Sequence, residues 1–308
     1  MNNFKKVIQF VIIISILFFL FFKKMKSKSI GYKQFNNMLV QPGERHFNNL
    51  RQLTFSGENA EAYFSKDGKS LIFQSHDGDS LCDQIYIMDI ETGQSKLVST
   101  GHGVTTCAYF DYPACKNIIY SSTHLGSKDC PPKPDYSRGY VWKLYQDYDV
   151  FISSIDGDSI IQLTDSKNYD AEATVAFDGS KIIYTSMSSG DLDLWTMNKD
   201  GSNKKQLTNQ LGYDGGAFFS YDSKKIVWRA YYPETKKEIS DYNRLLSENS
   251  IRPMALQIWT MNSDGSNRRQ VTDNESANFS PYFFPNSKRI IFSSNTVSYT
   301  HLTLPTKA

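Results

Sequence analysis

The sequence predicts an all-β fold, a β-propeller of four-stranded antiparallel blades behind an N-terminal hydrophobic helix. Three observations predict it. A hairpin motif recurs along the chain, a second hairpin precedes each copy, and the closing residues recur at the length of a blade.

The first motif is Asp193-Leu194-Trp195-Thr196-Met197-Asn198-Lys199-Asp200-Gly201-Ser202, running on to Leu207-Thr208. Its close copy is Gln257-Ile258-Trp259-Thr260-Met261-Asn262-Ser263-Asp264-Gly265-Ser266, running on to Val271-Thr272. Looser copies begin at Gln84 and Asp149. Apolar and polar residues alternate with period two, the signature of a strand with one covered face. Asp-Gly then turns the chain, because glycine enters positive φ without a Cβ clash.

The second motif is Ala62-Tyr63-Phe64-Ser65-Lys66-Asp67-Gly68-Lys69-Ser70-Leu71-Ile72-Phe73. Later copies span Ala173–Tyr184, Ala217–Trp228 and Asn278–Phe292. Two hairpins make a four-stranded blade. Leu53 to Leu97 and Leu163 to Leu207 are each 44 residues, whereas Leu97 to Leu163 is 66 and Leu207 to Val271 is 64. A blade takes about 40–45 residues, so every second blade carries an insertion of roughly 20.

These linked units resemble the repeat of TolB-type propellers, whose pattern is x-F-S-P-D-G-K-x-I-x-F followed by an I-Y-V-M-N-x-D-G-S-like hairpin ending in L-T. The resemblance covers about residues 50–295. Phe177-Asp178-Gly179-Ser180 and Tyr221-Asp222-Ser223-Lys224 depart from S-P-D-G-K and change turn chemistry only. The resemblance implies export to the cell envelope, and a scaffold that binds an envelope protein or peptide through its ring faces and channel; a small-molecule or glycan ligand is the other partner class expected. It also leaves one alternative, the substrate-gating propeller of a prolyl-oligopeptidase-like serine peptidase whose catalytic domain is missing; a second alternative, a carbohydrate-binding propeller, comes from the aromatic insertion described below.

Four regions follow. Residues 1–30 read as a signal peptide or signal anchor, the membrane contact of the chain: Lys5 and Lys6 precede an apolar run from Val7 to Phe22. That run makes about 24 Å of helix, a little short of a bilayer core of about 30 Å. Residues 31–49 read as a linker and 50–295 as the propeller, in which Leu50–Thr54 is expected to supply a blade's fourth strand. About four and a half blades are present; a six-bladed ring needs roughly one more and a half. The fifth unit is expected to stop after two strands at Asn295. Residues 296–308, including Val297-Ser298-Tyr299-Thr300-His301-Leu302, resemble a translated sequencing adapter and are read as non-native.

Charge excludes one class of partner. Residues 1–30 hold six lysines and no acid, while the whole chain carries only +2, so the propeller is acidic overall and no nucleic-acid partner is expected.

Within a blade, the loop before the first strand and the loop between strands two and three share a face, so both insertions project from one side. The first, Leu125–Asp147, joins Cys130-Pro131-Pro132-Lys133-Pro134 to Tyr136, Tyr140, Trp142 and Tyr145. Proline stiffens it, and aromatics on a stiff loop suit binding. The second, Tyr231–Leu256, has Ile239, Tyr242, Leu245 and Leu246 at helical spacing, which predicts an amphipathic helix packed on the blades.

The candidate binding face is therefore His76, His102, His124, Tyr136, Tyr140, Trp142, Tyr231 and Tyr232. Three histidines with Asp77 and Asp79 have the chemistry of a metal site, but no ligand spacing supports one, and no metal or other cofactor is expected. Cys82, Cys107, Cys115 and Cys130 allow three full disulfide pairings or free thiols. Neither G-x-S-x-G nor H-E-x-x-H occurs, so no catalytic residue is assigned and no enzymatic activity is expected.

Overall fold

A computed structural model of the chain describes residues 50–78, 82–137, 139–296 and 301–303. The predicted leader, the linker and Asp79 lie outside them.

Four antiparallel four-stranded blades follow in chain order. Blade one contains β1 (Glu58–Phe64), β2 (Ser70–His76), β3 (Gln84–Asp89) and β4 (Ser95–Leu97). Blade two contains β5 (Thr105–Phe110) and β6 (Asn117–Ser122); after a two-residue strand β7 (Trp142–Lys143) come β8 (Asp149–Ser154) and β9 (Ile160–Gln162). Blade three is β10 (Asp170–Val175), β11 (Ile182–Ser186), β12 (Asp193–Met197) and β13 (Lys205–Gln206). Blade four has β14 (Tyr213–Phe219) and β15 (Lys225–Tyr231), then helix α1 (Lys236–Ser247) and β16 (Ser250–Ile251), and closes with β17 (Gln257–Asn262) and β18 (Arg269–Gln270). The first strands of successive blades pack side by side around a central channel.

Two expectations need correction. Leu50–Thr54 forms no strand. The fifth unit also does not stop at two strands: β19 (Asn278–Phe283) and β20 (Ile290–Ser294) are joined by β21 (His301–Thr303), which pairs with β20. The open edge of β20 presents unpaired N–H and C=O groups that any extended segment satisfies, whatever its side chains.

The recurring Leu-Thr has a structural purpose. Thr208 Oγ1 accepts the Leu194 N–H at 2.8 Å and donates to Asp193 Oδ1 at 3.1 Å, clasping the outer strand to the start of β12. Thr164 does the same for Val150 and Asp149, Thr272 for Ile258 and Gln257, and Ser99 for Ile85 and Gln84. Each clasp satisfies a backbone donor at a strand start. The Asp-Gly turns also join blades. A Cβ on Gly201 would sit 3.1 Å from the Leu163 carbonyl oxygen, and one on Gly265 would sit 3.2 Å from the Leu207 side chain. Glycine lets each turn close over the leucine that ends the preceding blade.

The core lies between blades. Ile72, Ile118, Tyr120, Phe151, Ile182, Tyr184 and Val227 are buried in one continuous cluster, and Trp228, Leu194 and Phe219 anchor another. Among the described residues no helix is long and apolar enough to cross a membrane.

Candidate binding face

The two insertions leave blades two and four on the same face and meet over it. In the short antiparallel ribbon of β7 and β16, Trp142 pairs with Ile251 and Lys143 with Ser250. Leu144 N–H donates to the Asn249 carbonyl at 2.8 Å and extends the ribbon. The predicted helix is α1. Thr235 caps it in a reciprocal box with Glu238, which satisfies the orphan donors of its first turn. Tyr242 is buried against Leu144, Leu192, Tyr213, Ile251 and Leu256, with Leu246 packed on the same cluster, Leu245 is buried too, and the Tyr242 hydroxyl donates to Asp191. The helix therefore turns its apolar side to the blades, as its spacing predicts.

The proline-aromatic loop is held at several points. A disulfide joins Cys130 in the loop to Cys82 between β2 and β3, with their Cα atoms 5.6 Å apart. The Tyr145 hydroxyl donates to the Pro132 carbonyl at 2.7 Å. On this support Tyr136 and Tyr140 lie stacked, with ring centroids 5.7 Å apart, and are 51% and 62% exposed. Trp142 Nε1 donates to the Tyr140 hydroxyl at 3.1 Å. The Trp142 ring turns inward, 5.2 Å from the Arg229 guanidinium and edge-on to Tyr213.

The structure divides the remaining sequence-predicted residues. Tyr231 packs, partly buried, on the same apolar cluster as Trp142. Tyr232 faces elsewhere: its hydroxyl donates to buried Asp214 at 2.6 Å and its ring meets Trp259 edge-on. His76 Nδ1 lies 2.6 Å from Asp83. His124 packs on Phe151 with Nδ1 2.9 Å from the Ser122 hydroxyl. Burial, and then the neighbouring His102, push its pKa down. His102 is exposed. Among the described residues no group of three His, Cys, Asp or Glu side chains is placed to hold a metal ion. Cys107 and Cys115 are free thiols, so one disulfide forms among the described residues and not two. Burial raises the pKa of both, with Glu61 and Glu172 adding to the rise at Cys107.

Sequence reading missed the wall of the channel beneath this face. Every first strand has a bulge at the same place, with a left-handed residue at its centre: Glu61, Cys107, Glu172, Gly216 and Ser280, at φ of 50–58°. A bulge adds a residue and re-aims its side chain. The available signal was an alanine directly after four of the five, Ala62, Ala108, Ala173 and Ala217, with Pro281 after the fifth. Glu172 is paired with Arg229 of β15 and accepts further hydrogen bonds from the Tyr213 hydroxyl, Gly216 N–H and Thr185 hydroxyl. Burial alone would lower the Arg229 pKa, but Tyr213 and then Glu172 and Glu61 raise it above its ordinary value.

No family model matches the chain, and no curated protein matches it in sequence. Solved structures do. TolB from Acinetobacter baumannii is 16% identical at TM-score 0.54, covering 81% of this chain and 55% of the other. Hydrazine synthase from Kuenenia stuttgartiensis is 14% identical at TM-score 0.58, covering 81% and 37%. An oligogalacturonate lyase in complex with manganese is 13% identical at TM-score 0.50, covering 84% and 80%. The chain spans between about half and two thirds of the solved TolB chains it matches. At these identities the likeness concerns fold. The fold of this chain is a TolB-like β-propeller.

Proposed function

We propose that this chain is a non-catalytic binding propeller of the cell envelope that docks a protein or peptide on its capped face. The observation that carries the reading is the stacked Tyr136–Tyr140 pair. Two large exposed rings sit on a loop pinned by a disulfide, a tyrosine hydrogen bond and a strand ribbon. Aromatic anchors held in place before binding lose little entropy on docking. The disulfide also supports an oxidising compartment, where such bonds persist, and a protein partner is what the resemblance of the repeats to TolB-type propellers implies.

The test is site-specific photo-crosslinking in cells. A photoreactive residue replacing Tyr140 is expected to give a discrete adduct, reduced at least tenfold by Tyr136→Ala. The same probe replacing Tyr221, at the turn between β14 and β15, is expected to give none. Equal adducts from both positions would refute the reading.

A stacked tyrosine pair also suits the face of a sugar ring, and one propeller of similar fold is an oligogalacturonate lyase. Titration with oligosaccharides, read by Trp142 fluorescence, separates the two: a glycan platform responds at millimolar sugar and a protein-docking face does not.

A further inference from the structure

The channel beneath the cap encloses a cavity of about 290 Å³, lined by all five bulge residues and by Arg229. Its charges are arranged unevenly. Glu172 is saturated by four donors and neutralised by Arg229. Arg229 uses Nε and Nη2 on Tyr213 and Glu172, leaving Nη1 with no hydrogen-bond acceptor among the described residues. Gly216 makes room for it: a Cβ there would lie 2.7 Å from Nη1. The one bulge position without a side chain is thus where a guanidinium from the neighbouring strand enters the channel.

Across the cavity, Glu61 forms no ion pair among the described residues and meets the Cys107 thiol. It is electrostatically coupled to Arg229 without touching it. Two residues further along the first strands, Tyr63 and Phe218 lie 5.4 Å apart and give the cavity an apolar floor. A carboxylate acceptor, a spare guanidinium edge and an aromatic floor therefore face a common space.

We propose that this cavity binds a small zwitterion with an apolar side chain, an α-amino acid or a dipeptide. The ligand ammonium pairs with Glu61, its carboxylate with Arg229 Nη1, and its side chain rests on Tyr63 and Phe218. Charge-assisted bonds at both ends make the site selective for a molecule carrying both charges. The volume falls just below the range of about 300–1,000 Å³ typical of drug-sized ligands, which fits a single amino acid or a dipeptide. This site is independent of the exposed tyrosines.

The test is calorimetric titration of the full chain with three probes of one shape: L-leucine, isocaproate with the carboxylate alone, and isoamylamine with the ammonium alone. L-leucine is expected to bind at millimolar concentration or below. Each single-charge probe is expected to bind at least tenfold more weakly. Glu61→Gln is the decisive variant, because Glu61 is exposed and its replacement leaves the fold intact, as an unchanged melting temperature would verify. It is expected to weaken L-leucine about tenfold and erase the preference over isocaproate. No heat with L-leucine at roughly 10 mM, equal binding of all three probes, or an unaltered preference in Glu61→Gln would each overturn the proposal.

Discussion

Blades one and four follow the same local code and end in different environments. Tyr63-Phe64-Ser65 of blade one matches Phe218-Phe219-Ser220 of blade four, and both first strands bulge at the equivalent residue. Yet every residue of β14 is buried, whereas β1 is exposed along nearly its whole length. Phe219 is 3% exposed and Phe64 is 60% exposed. Blade four packs against blades three and five and lies beneath its own insertion, while the strands of blade one pack on blade two. The hairpin comes from sequence close at hand; its burial, and with it most of its stability, comes from the neighbouring blades.

The largest expected effect tests that contrast directly. Phe219→Ala is expected to cost about 3–5 kcal/mol in urea unfolding. Phe64→Ala is expected to stay within about 0.5 kcal/mol, as at an exposed site. Equal losses would break the comparison.

The next concerns the ion pair of the channel wall. Arg229→Gln leaves Glu172 buried without its cation and is expected to cost about 3–5 kcal/mol. Arg229→Gln with Glu172→Gln is expected to recover a good part of that by denaturant melts. No recovery would mean that packing of the arginine stem, and not charge, matters there.

A smaller effect is pH-dependent and belongs to blade four. Burial lifts the Asp214 carboxyl to about 7, despite hydrogen bonds from Tyr232 and Trp228. Its unfolded value lies near 3.8, so the folded state takes up protons between these limits. The resulting stability is fully present below about pH 4 and is lost as pH rises through 7. Asp149, lifted to about 6 by burial, acts in the same direction. Asp214→Asn keeps an acceptor for both donors and is expected to flatten the melting temperature between pH 4 and 7. The equivalent residue of blade one, Asn59, does not titrate, and Asn59→Ala is expected to leave the profile unchanged.

The smallest effect concerns the clasps, which both blades share. Thr272→Val strands the buried Ile258 N–H and is expected to cost about 1–2 kcal/mol. Ser99→Ala in blade one, where water reaches the edge, is expected to cost about half as much. Chemical denaturation of both variants sharpens the distinction between local and inter-blade terms.

The same division explains what was legible in the sequence. The hairpins, the closing Leu-Thr and the helix over Ile239–Leu246 rest on periodicity, turn residues and capping within a few residues of each other. The ribbon of β7 and β16 was not legible: it joins segments more than 100 residues apart, and two-residue strands leave no alternation to read. Neither was the choice of Cys82 and Cys130 from four cysteines, which depends on how two blades bring their loops together. Leu50–Thr54 matched a closing strand in composition, but a strand also needs a partner edge, which composition does not supply. At the candidate face, Tyr136, Tyr140 and Trp142 were legible as a cluster because aromatics in a proline-stiffened loop stand out, but which rings face outward was not. Tyr232 shares their type but has its hydroxyl committed to Asp214 in the core. Glu61, Glu172 and Arg229 were missed because three charges in alternating strands look like ordinary solvent-facing positions until the blades are assembled.

The central claim is that the two insertions form one cap over a single face of the propeller. Amide hydrogen exchange at Leu144, whose N–H donates to the Asn249 carbonyl, tests it most directly. The cap predicts exchange at least roughly a hundredfold slower than in an open loop, with Ile251 protected alongside it. Exchange of both amides at open-loop rates in the folded protein would show two independent loops, and would contradict the claim.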